Sequence, residues 1–566
     1  MDQKLAKRYL KLRLEPLAFD PPVDRNQWLN PAQRLIRMCR FDPKRRKVSD
    51  MTGTFTSEQL LTRILIFRRL LRREILADDE TRVGVLIPPT LGGVTATYAL
   101  TLDRRVPIHL NYTLRSSIVN HCIQNAGIRH ILTSRKVIEK FPDLKLDAEL
   151  VFLEDYLPKL TLWDKLGSLL AAKFMPISWL EKRLKLDQIQ PDDLHTIVFT
   201  SGSTGTPKGV MLSHWNVLRN AESMCLGCRV NRNDVFAGVL PFFHAFGYTV
   251  PLWVPMVRDV TAFFHANPLD IQTVGKLCRR FKATYFLTTP TFARAFLRRC
   301  PAEDLRTVDM MVLGAEKMTK RLADEYEAKF GERPLEGFGA TELSPVVSSN
   351  LPPHRPMQLG NFLKEGTVGR PFPGVKAKIV HPETFDELGT NVEGMLLVHG
   401  DIVMMGYLNM PEETKAVLRD GWYVTGDMAV IDDEGFIRIT GRLMRFSKLG
   451  GEMVPHLRLE EVLYDLLQLN DDNEESAGVP LAVTAVPDAK KGERIIVLHT
   501  VPIENPDAIR RAMHDVGLPN LWIPAANAFY RVENIPILGT GKPDLRAIKQ
   551  MALDLTAVQS DEDHDL

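Results

Sequence analysis

The sequence predicts an α/β protein: a large N-terminal domain of helix-wrapped β-sheets that includes a β-rich subdomain, followed by a small α+β domain. Three observations predict it. Between about residues 80 and 450, short β-branched or apolar runs alternate with amphipathic helical patterns, as in a parallel sheet covered by helices. After about residue 360 the runs become short strands separated by turn residues. Beyond Arg442, helix and strand mix over the remaining part of a 566-residue chain, which at roughly 150 residues per structural unit leaves room for three or four units.

In chain order, TRVGVLI reads as a strand, the residues after it as a helix, and VPIHL and HILTS as further strands. VKAKIVHPETFDELGTNVEGMLLVHG and MAVIDDEGFIRITGR supply the short strands of the β-rich part, about residues 360–442. LRLEEVLYDLLQL reads as a helix and LAVTAVPD and RIIVLHT as strands of the last unit, with the acidic end SDEDHDL solvated and frayed. The expected division is 1–442 and 443–566.

Composition excludes several classes. Hydrophobic residues at 45% and charged residues at 25% are those of an ordinary globular protein, and a net charge of +2 speaks against a nucleic-acid binder. No run approaches the roughly 18 apolar residues of a membrane-spanning helix. The first thirty residues alternate charge with leucine and lack a secretory core, so the expected compartment is the cytoplasm. Six cysteines are sparse. The pair Cys225 and Cys228 has no second pair to complete a zinc set and reads as two small residues in a helix. The charge is uneven, however: residues 1–73 hold 18 Lys and Arg against 7 Asp and Glu, an excess of +11 that leaves −9 for the rest. Solvated helix faces are one reading; attraction to an acidic partner, either anionic lipid or an acidic carrier protein, is the other.

The most informative segment is Thr196–Val210, TIVFTSGSTGTPKGV, continued by MLSHWNVLRNAE. The β-branched beginning reads as a buried strand and the continuation as a helix, which makes the Ser/Thr/Gly stretch a strand-to-helix loop. Such a loop can gather backbone N–H groups, the hydroxyls of Thr200, Ser201, Ser203 and Thr204 and the cation of Lys208 around one phosphate. The spacing is not that of a P-loop, because Gly209 follows Lys208 where a Ser or Thr would hold magnesium.

These residues resemble the adenylate-forming superfamily, which includes acyl-CoA synthetases, firefly luciferase and the adenylation domains of peptide synthetases. The resemblance rests on an ordered series: TSGSTGTPKGV at 200–210, PFFHAFG at 241–247, LGAE at 313–316, GFGATE at 337–342, GWYVTGD at 421–427, GFIRITGR at 435–442 and GTGKPDLRAIK at 539–549. It implies activation of a carboxylic acid by ATP and Mg²⁺. Thr200, Ser201, Gly202, Ser203, Thr204, Gly205 and Lys208 would hold the β- and γ-phosphates, with Thr341 near the α-phosphate. Glu342, with Thr204, would hold the magnesium. Gly314, Ala315 and Glu316 would line the purine site, with Phe338 stacked on adenine beside Gly339 and Ala340. Asp427 would accept from the ribose hydroxyls, with Arg442 beside it. Lys542 would reach the carboxylate and α-phosphate. Without their companions, Asp427 is equally an Asx turn and Lys542 a solvated charge.

The resemblance further implies a second step, transfer to a thiol, with a mobile C-terminal domain that rotates between steps. Its pivot position is Met444, where an Asp or Lys is usual. Gly450 and Gly451 would line the thiol tunnel, although a plain turn also asks for glycine. The wording GRLMRFSKLGGEMVPH resembles the ligase half of the bifunctional acyl-acyl carrier protein synthetase / 2-acylglycerophosphoethanolamine acyltransferases, which favours acyl carrier protein over CoA as acceptor. The acyltransferase motif HxxxxD occurs twice, at 265–270 and 381–386, where about one match is expected by chance; both fall within the ligase region and are set aside. The run VLPFFHAFGYTVPLWVPM carries His244, a further catalytic candidate, among apolar residues with no carboxylate for a substrate amine. That suits a medium- or long-chain fatty acid, with an aryl acid second, CoA as the alternative acceptor, and a non-catalytic nucleotide- or lipid-binding protein as the reading from another class.

Overall fold

The computed structural model describes residues 25, 28–200, 207–314, 316–355, 362–449, 452–467, 469, 479–488, 492–537 and 543–562. Strands whose residues are buried on both faces, such as Thr261–Phe264, Tyr285–Thr288 and Met310–Leu313, build the centre of the large domain. Continuous apolar runs of this kind are what a parallel sheet covered on both sides requires. They lie in a nine-stranded sheet. Its parallel centre runs from Leu335–Gly339 through 310–313, 285–288, Val235–Gly238 and 261–264 to Arg46–Ser49. Antiparallel strands close its edges: Thr54–Thr56 on one side, Val346–Ser349 and Arg370–Pro371 on the other.

A second, four-stranded parallel sheet is made of Val106–His109, Arg82–Val85, His130–Thr133 and Glu149–Phe152, in that order. The strands read from TRVGVLI, VPIHL and HILTS are thus present, and the helix Leu91–Leu102 lies between the first two. The β-rich part forms a five-stranded antiparallel sheet of Lys376–Val380, Gly394–His399, Trp422–Ile431, Leu418–Arg419 and Ile437–Arg442. Beyond it, strands Leu481–Asp488, Gly492–His499 and Phe529–Arg531 and helix His456–Leu466 surround cores of their own, built on residues such as Val483, Val497 and Leu463 on one side and Ile496 and Ile548 on the other. The observed architecture is that of a large α/β domain of several sheets and a smaller C-terminal one.

The phosphate-loop segment departs from its sequence reading. Strand Leu194–Thr200 is followed by a second strand, Lys208–Ser213, before the helix His214–Gly227 begins. The two strands pair antiparallel, Thr200 opposite Lys208 and Val198 opposite Val210. Val210 and Leu212 are fully buried, and burying them in a sheet wins over extending the helix backwards. The loop therefore joins two strands, and no helix N-terminus stands at its end.

Part of the cationic excess of residues 1–73 is paired within the fold. Arg34 pairs with Glu222, Arg37 with Glu181, Arg45 and Lys47 with Asp259, Arg68 and Arg72 with Asp103, and Arg73 with Asp164. Every one of those acids lies beyond residue 73, so the two unequal parts of the charge meet in these pairs; Arg34, Arg37, Lys47 and Arg68 make theirs largely out of solvent, whereas Arg72 and Arg73 stay exposed.

All six cysteines are free and buried; Cys225 lies in the helix 214–227 and Cys228 at its end, as expected. In the first HxxxxD match Asp270 caps a helix, accepting from Thr273 N, and in the second His381 closes its own turn against Asp386. No helix among the described residues is long and apolar enough to cross a membrane.

Candidate active site

The site forms where two chain segments, distant in sequence, are tied to one helix. Ser213 and Asn216 make a reciprocal capping box that starts the helix 214–227. Asn216 also donates through Nδ2 to the carbonyls of Asp401 and Val403, at 2.8 and 2.9 Å. One turn on, buried Asn220 donates to the carbonyls of Leu343 and Val346 at 3.0 and 2.8 Å and accepts from Val346 N. Two asparagines at i and i+4 lie on one helix face, so they fix the 401–403 and 341–346 segments relative to each other.

The segment from Ile402 to Leu408 then links the turn of Glu342 to the strand of Lys208. Met404 N donates to Glu342 O at 2.9 Å and Ser344 Oγ to Ile402 O at 2.7 Å. Met405 N and Leu408 N donate to the carbonyls of Met211 and Gly209, and Tyr407 pairs with Val210. The result is a compact polar cluster. The Tyr407 hydroxyl donates to Glu342 Oε1 at 2.8 Å, and the Lys208 ammonium stands 4.9 Å from the centre of the same ring. Burial and the Glu342 charge push the hydroxyls of Tyr407 and Tyr423 above the usual tyrosine range, which keeps both as neutral donors.

Asp427 faces the same cluster. It sits opposite Arg442 in the pairing of strands 422–431 and 437–442, and Arg442 Nε donates to its Oδ1 at 2.9 Å. Its side chain is only 6% exposed while that of Arg442 is 65% exposed. Burial raises the Asp427 carboxyl above the usual range, the Arg442 guanidinium pulls it down, and the charge of Glu342 raises it further. Two carboxylates that feel each other, beside one lysine, form a site suited to a bound cation and polyanion together.

The remaining candidates line the neighbouring wall. Gly314 follows strand 310–313, its N–H bonded to Thr288 O, and only Phe246 Cε1 and Gly337 O come within 4 Å of where its Cβ would stand. That open face is what a flat ring needs. Glu316 accepts from the Thr291 hydroxyl at 2.7 Å. Phe338 and Gly339 end strand 335–339, Ala340 N donates to Pro345 O, and Thr341 and Glu342 begin the tight turn after it. Gly339 is required there, since a Cβ would stand 2.2 Å from Pro345 O. Thr200 ends its strand with Oγ1 3.5 Å from Lys208 O. His244 is exposed, precedes the short helix Ala245–Tyr248, and has its ring 4.7 Å from that of Phe243. The apolar run after it is core: Tyr248, Val250, Leu252 and Trp253 are buried. Ser201, Gly202, Ser203, Thr204, Gly205, Ala315, Gly450, Gly451 and Lys542 lie outside the described residues.

The chemistry fits magnesium. Among the described residues no three His, Cys, Asp or Glu side chains gather as a metal cage. A single carboxylate such as Glu342, oriented by a tyrosine, is the donor set of a hard cation held jointly with phosphate oxygens. Tyr407, Asn216 and Asn220 escaped the sequence reading. Only Tyr407 left a signal, a Gly-Tyr pair ahead of the Pro-capped helix Pro411–Val417.

The profile of the AMP-binding enzyme family matches residues 37–408. The chain belongs to this family. It is 28% identical over 480 residues, 80% of its own length and 82% of the relative's, to the long-chain-fatty-acid–CoA ligase of Bacillus subtilis (strain 168). Among solved structures it is similar to ATP-bound MatB from Rhodopseudomonas palustris, with a TM-score of 0.73 and 24% identity over 93% of this chain and 99% of that one. It is also similar to the O-succinylbenzoate coenzyme A synthetase MenE of Bacillus subtilis in complex with ATP and magnesium ion, with a TM-score of 0.73 and 20% identity over 91% and 99%. Those two structures share its fold. As an AMP-binding enzyme, the chain carries Lys208, Thr341, Glu342 and the Gly314 wall inside the matched region, and Asp427 and Arg442 after it.

Proposed function

We propose that this AMP-binding enzyme is an ATP- and Mg²⁺-dependent acid–thiol ligase that converts a medium- or long-chain fatty acid into its acyl-adenylate and transfers the acyl group to the pantetheine thiol of CoA. The observation that carries the reading is the cluster in which Tyr407 joins Glu342 to Lys208 while Asp427 and Arg442 face it. In the first step a carboxylate oxygen attacks the α-phosphorus, the bond to the bridging oxygen of the β-phosphate breaks, and pyrophosphate leaves. In the second, a thiolate sulfur attacks the acyl carbon and AMP leaves with the bonding pair.

The chain's contribution is charge and position. Lys208, with Thr200, Ser201, Ser203 and Thr204 and the backbone of Gly202 and Gly205, neutralises the departing phosphates. Glu342, with Thr204, would hold Mg²⁺, which when bound lowers the repulsion among phosphate oxygens. Thr341 donates toward the α-phosphate. Gly314, Ala315, Glu316, Phe338, Gly339 and Ala340 receive the purine, and Asp427, held by Arg442, accepts from the ribose. His244 sits at the acyl side. Lys542 and the Gly450–Gly451 pair are supplied by the 443–566 unit, which rotates between the two steps.

CoA stands first as acceptor because the relative that aligns with 80% of this chain, at 28% identity, is by name a CoA ligase. Acyl carrier protein, favoured by GRLMRFSKLGGEMVPH, stands second. One experiment tests both levels: the protein is given ATP, Mg²⁺ and labelled palmitate with either CoA or acyl carrier protein. Fatty acid-dependent pyrophosphate release, lost in Lys208→Ala, is expected together with labelled acyl-CoA. Folded protein that releases no pyrophosphate overturns the activity; label on carrier protein alone overturns the acceptor.

A further inference from the structure

The helix Leu162–Lys173 turns its apolar stripe away from the protein. Its buried residues are Asp164, Ser168, Ala171 and Ala172. Leu162 and Trp163 are 81% and 79% exposed, and Leu166, Leu169 and Leu170 stand outward with them. A helix on the surface of a globular protein ordinarily does the reverse. The orientation is pinned: Thr161 and Asp164 form a capping box, Arg73 pairs with Asp164 at 2.5 Å, and Arg69 Nη1 donates to Trp163 O at 3.3 Å. Phe174, 67% exposed, and Trp179, 69% exposed on the following helix Ile177–Arg183, extend the surface. Apolar hollows flank the helix on both sides. One, of about 1070 Å³, runs over Leu166, Leu169, Ile66 and Leu91; the other, of about 450 Å³, lies among Leu170, Phe174 and Trp179.

Within residues 157–185 the exposed charge has one sign. Residues 157–185 contain Lys159, Lys165, Lys173, Lys182, Arg183 and Lys185, all exposed, against Asp164 and Glu181. Both acids are buried and paired, with Arg73 and Arg37. The neighbouring helix brings Glu74 to 3.8 Å from Lys159 and Glu58 to 4.0 Å from Lys173, which leaves Lys165, Lys182, Arg183 and Lys185 as a cationic rim around the tryptophans.

We infer that residues 157–183 dock this protein on an anionic lipid surface, with Leu162, Trp163, Leu166, Phe174 and Trp179 in the headgroup–acyl boundary and the lysines and Arg183 at the lipid phosphates. Exposed leucine and tryptophan with a basic rim is the chemistry of an interfacial helix. A second copy of the chain fits less well, because a two-fold contact through this face sets like charges opposite one another. The surface is separate from the Lys208–Glu342 cluster, and the inference does not depend on which acid is activated there.

The test is sedimentation of the full-length protein with vesicles of phosphatidylcholine, with and without phosphatidylglycerol, together with tryptophan emission. Binding that requires phosphatidylglycerol and shifts the emission to shorter wavelength is expected. Trp163→Glu combined with Trp179→Glu should lower the partition coefficient by at least roughly tenfold. Lys165→Glu combined with Lys182→Glu should weaken binding roughly fivefold for each charge removed. Pyrophosphate release with a short, soluble acid should be unchanged in both variants, which separates failure of docking from failure of catalysis. Absence of lipid-dependent sedimentation overturns the inference, as does equal binding by the tryptophan variant. A dimer in solution that the tryptophan variant dissociates, without vesicle binding, assigns the face to a second copy and equally overturns it.

Discussion

Tyr407→Phe isolates one contact that orients the proposed metal ligand. The substitution removes the hydroxyl that donates to Glu342 Oε1 at 2.8 Å and keeps the ring that lies 4.9 Å from the Lys208 ammonium. A hydrogen bond to a charged partner contributes about 1.5–3 kcal/mol. At 1.4 kcal/mol per tenfold, kcat/KM for MgATP should fall by roughly 10- to 100-fold. Tyr407→Ala also removes the ring and its cation–π contact, about 0.5–1 kcal/mol, and should lose up to roughly fivefold more. Fatty acid-dependent pyrophosphate release, measured across a magnesium titration, reads both. The expected pattern is a rise in the magnesium concentration needed for half-maximal rate in both variants, with the Ala variant alone showing the added loss in phosphate affinity. If Tyr407→Phe leaves both the magnesium dependence and kcat/KM within twofold of the parent, the hydrogen bond does not set the carboxylate, and Glu342 is held by its backbone turn alone.

Three further outcomes are expected. Asn220→Ala leaves the carbonyls of Leu343 and Val346 and the N–H of Val346 without their partner; at about 1–3 kcal/mol for a buried unsatisfied group, chemical denaturation should show that loss, and the magnesium requirement should rise with it. Asp427→Asn should weaken ATP binding by roughly tenfold or more through loss of a charged acceptor, while the melting temperature stays level or rises, because a carboxylate that burial disfavours has been removed; a large drop in melting temperature with normal ATP affinity would reverse the assignment. His109 and His214 are buried and pushed down from 6.5 to about 3. Their folded pKa lies below the unfolded one, so the unfolded chain binds more protons between those values. Stability is fully present above about pH 6.5 and is lost as pH falls toward 3. At pH 5 the two together should cost about 4 kcal/mol relative to pH 7.5, and urea midpoints that are flat over this range would refute it.

The run of strand and helix in the large domain was legible because each element carries its own signal. TRVGVLI, VPIHL and HILTS are short apolar runs bounded by turns, and they are strands. The helix after the loop was legible too, in MLSHWNVLRNAE, although it begins only at His214. The strand Lys208–Ser213 was not, since its glycine and lysine hide a short apolar run whose partner, Leu194–Thr200, is known only once the chain folds back on itself. Lys208, Glu342 and Asp427 could be picked out by their motifs, but nothing in the order of residues says that Asn216 and Asn220 hold two distant loops against each other. A buried asparagine's value lies in the carbonyls it meets, and those are 123 to 187 residues away.

Charge followed the same division. That the first 73 residues are strongly basic and the remainder acidic could be read directly, because charge is counted along the chain. Which acid meets which base depended on packing: Glu222, Glu181, Asp259, Asp103 and Asp164 take up Arg34, Arg37, Arg45, Arg68 and Arg73. The sequence likewise supplied the leucines and tryptophans of residues 157–183, and an amphipathic pattern alone would turn them inward. The Arg73–Asp164 pair and the small residues Ser168, Ala171 and Ala172 set the opposite face against the protein. Which side of a helix is inside depends on the residues packed beneath it, and that is a property of the folded molecule alone.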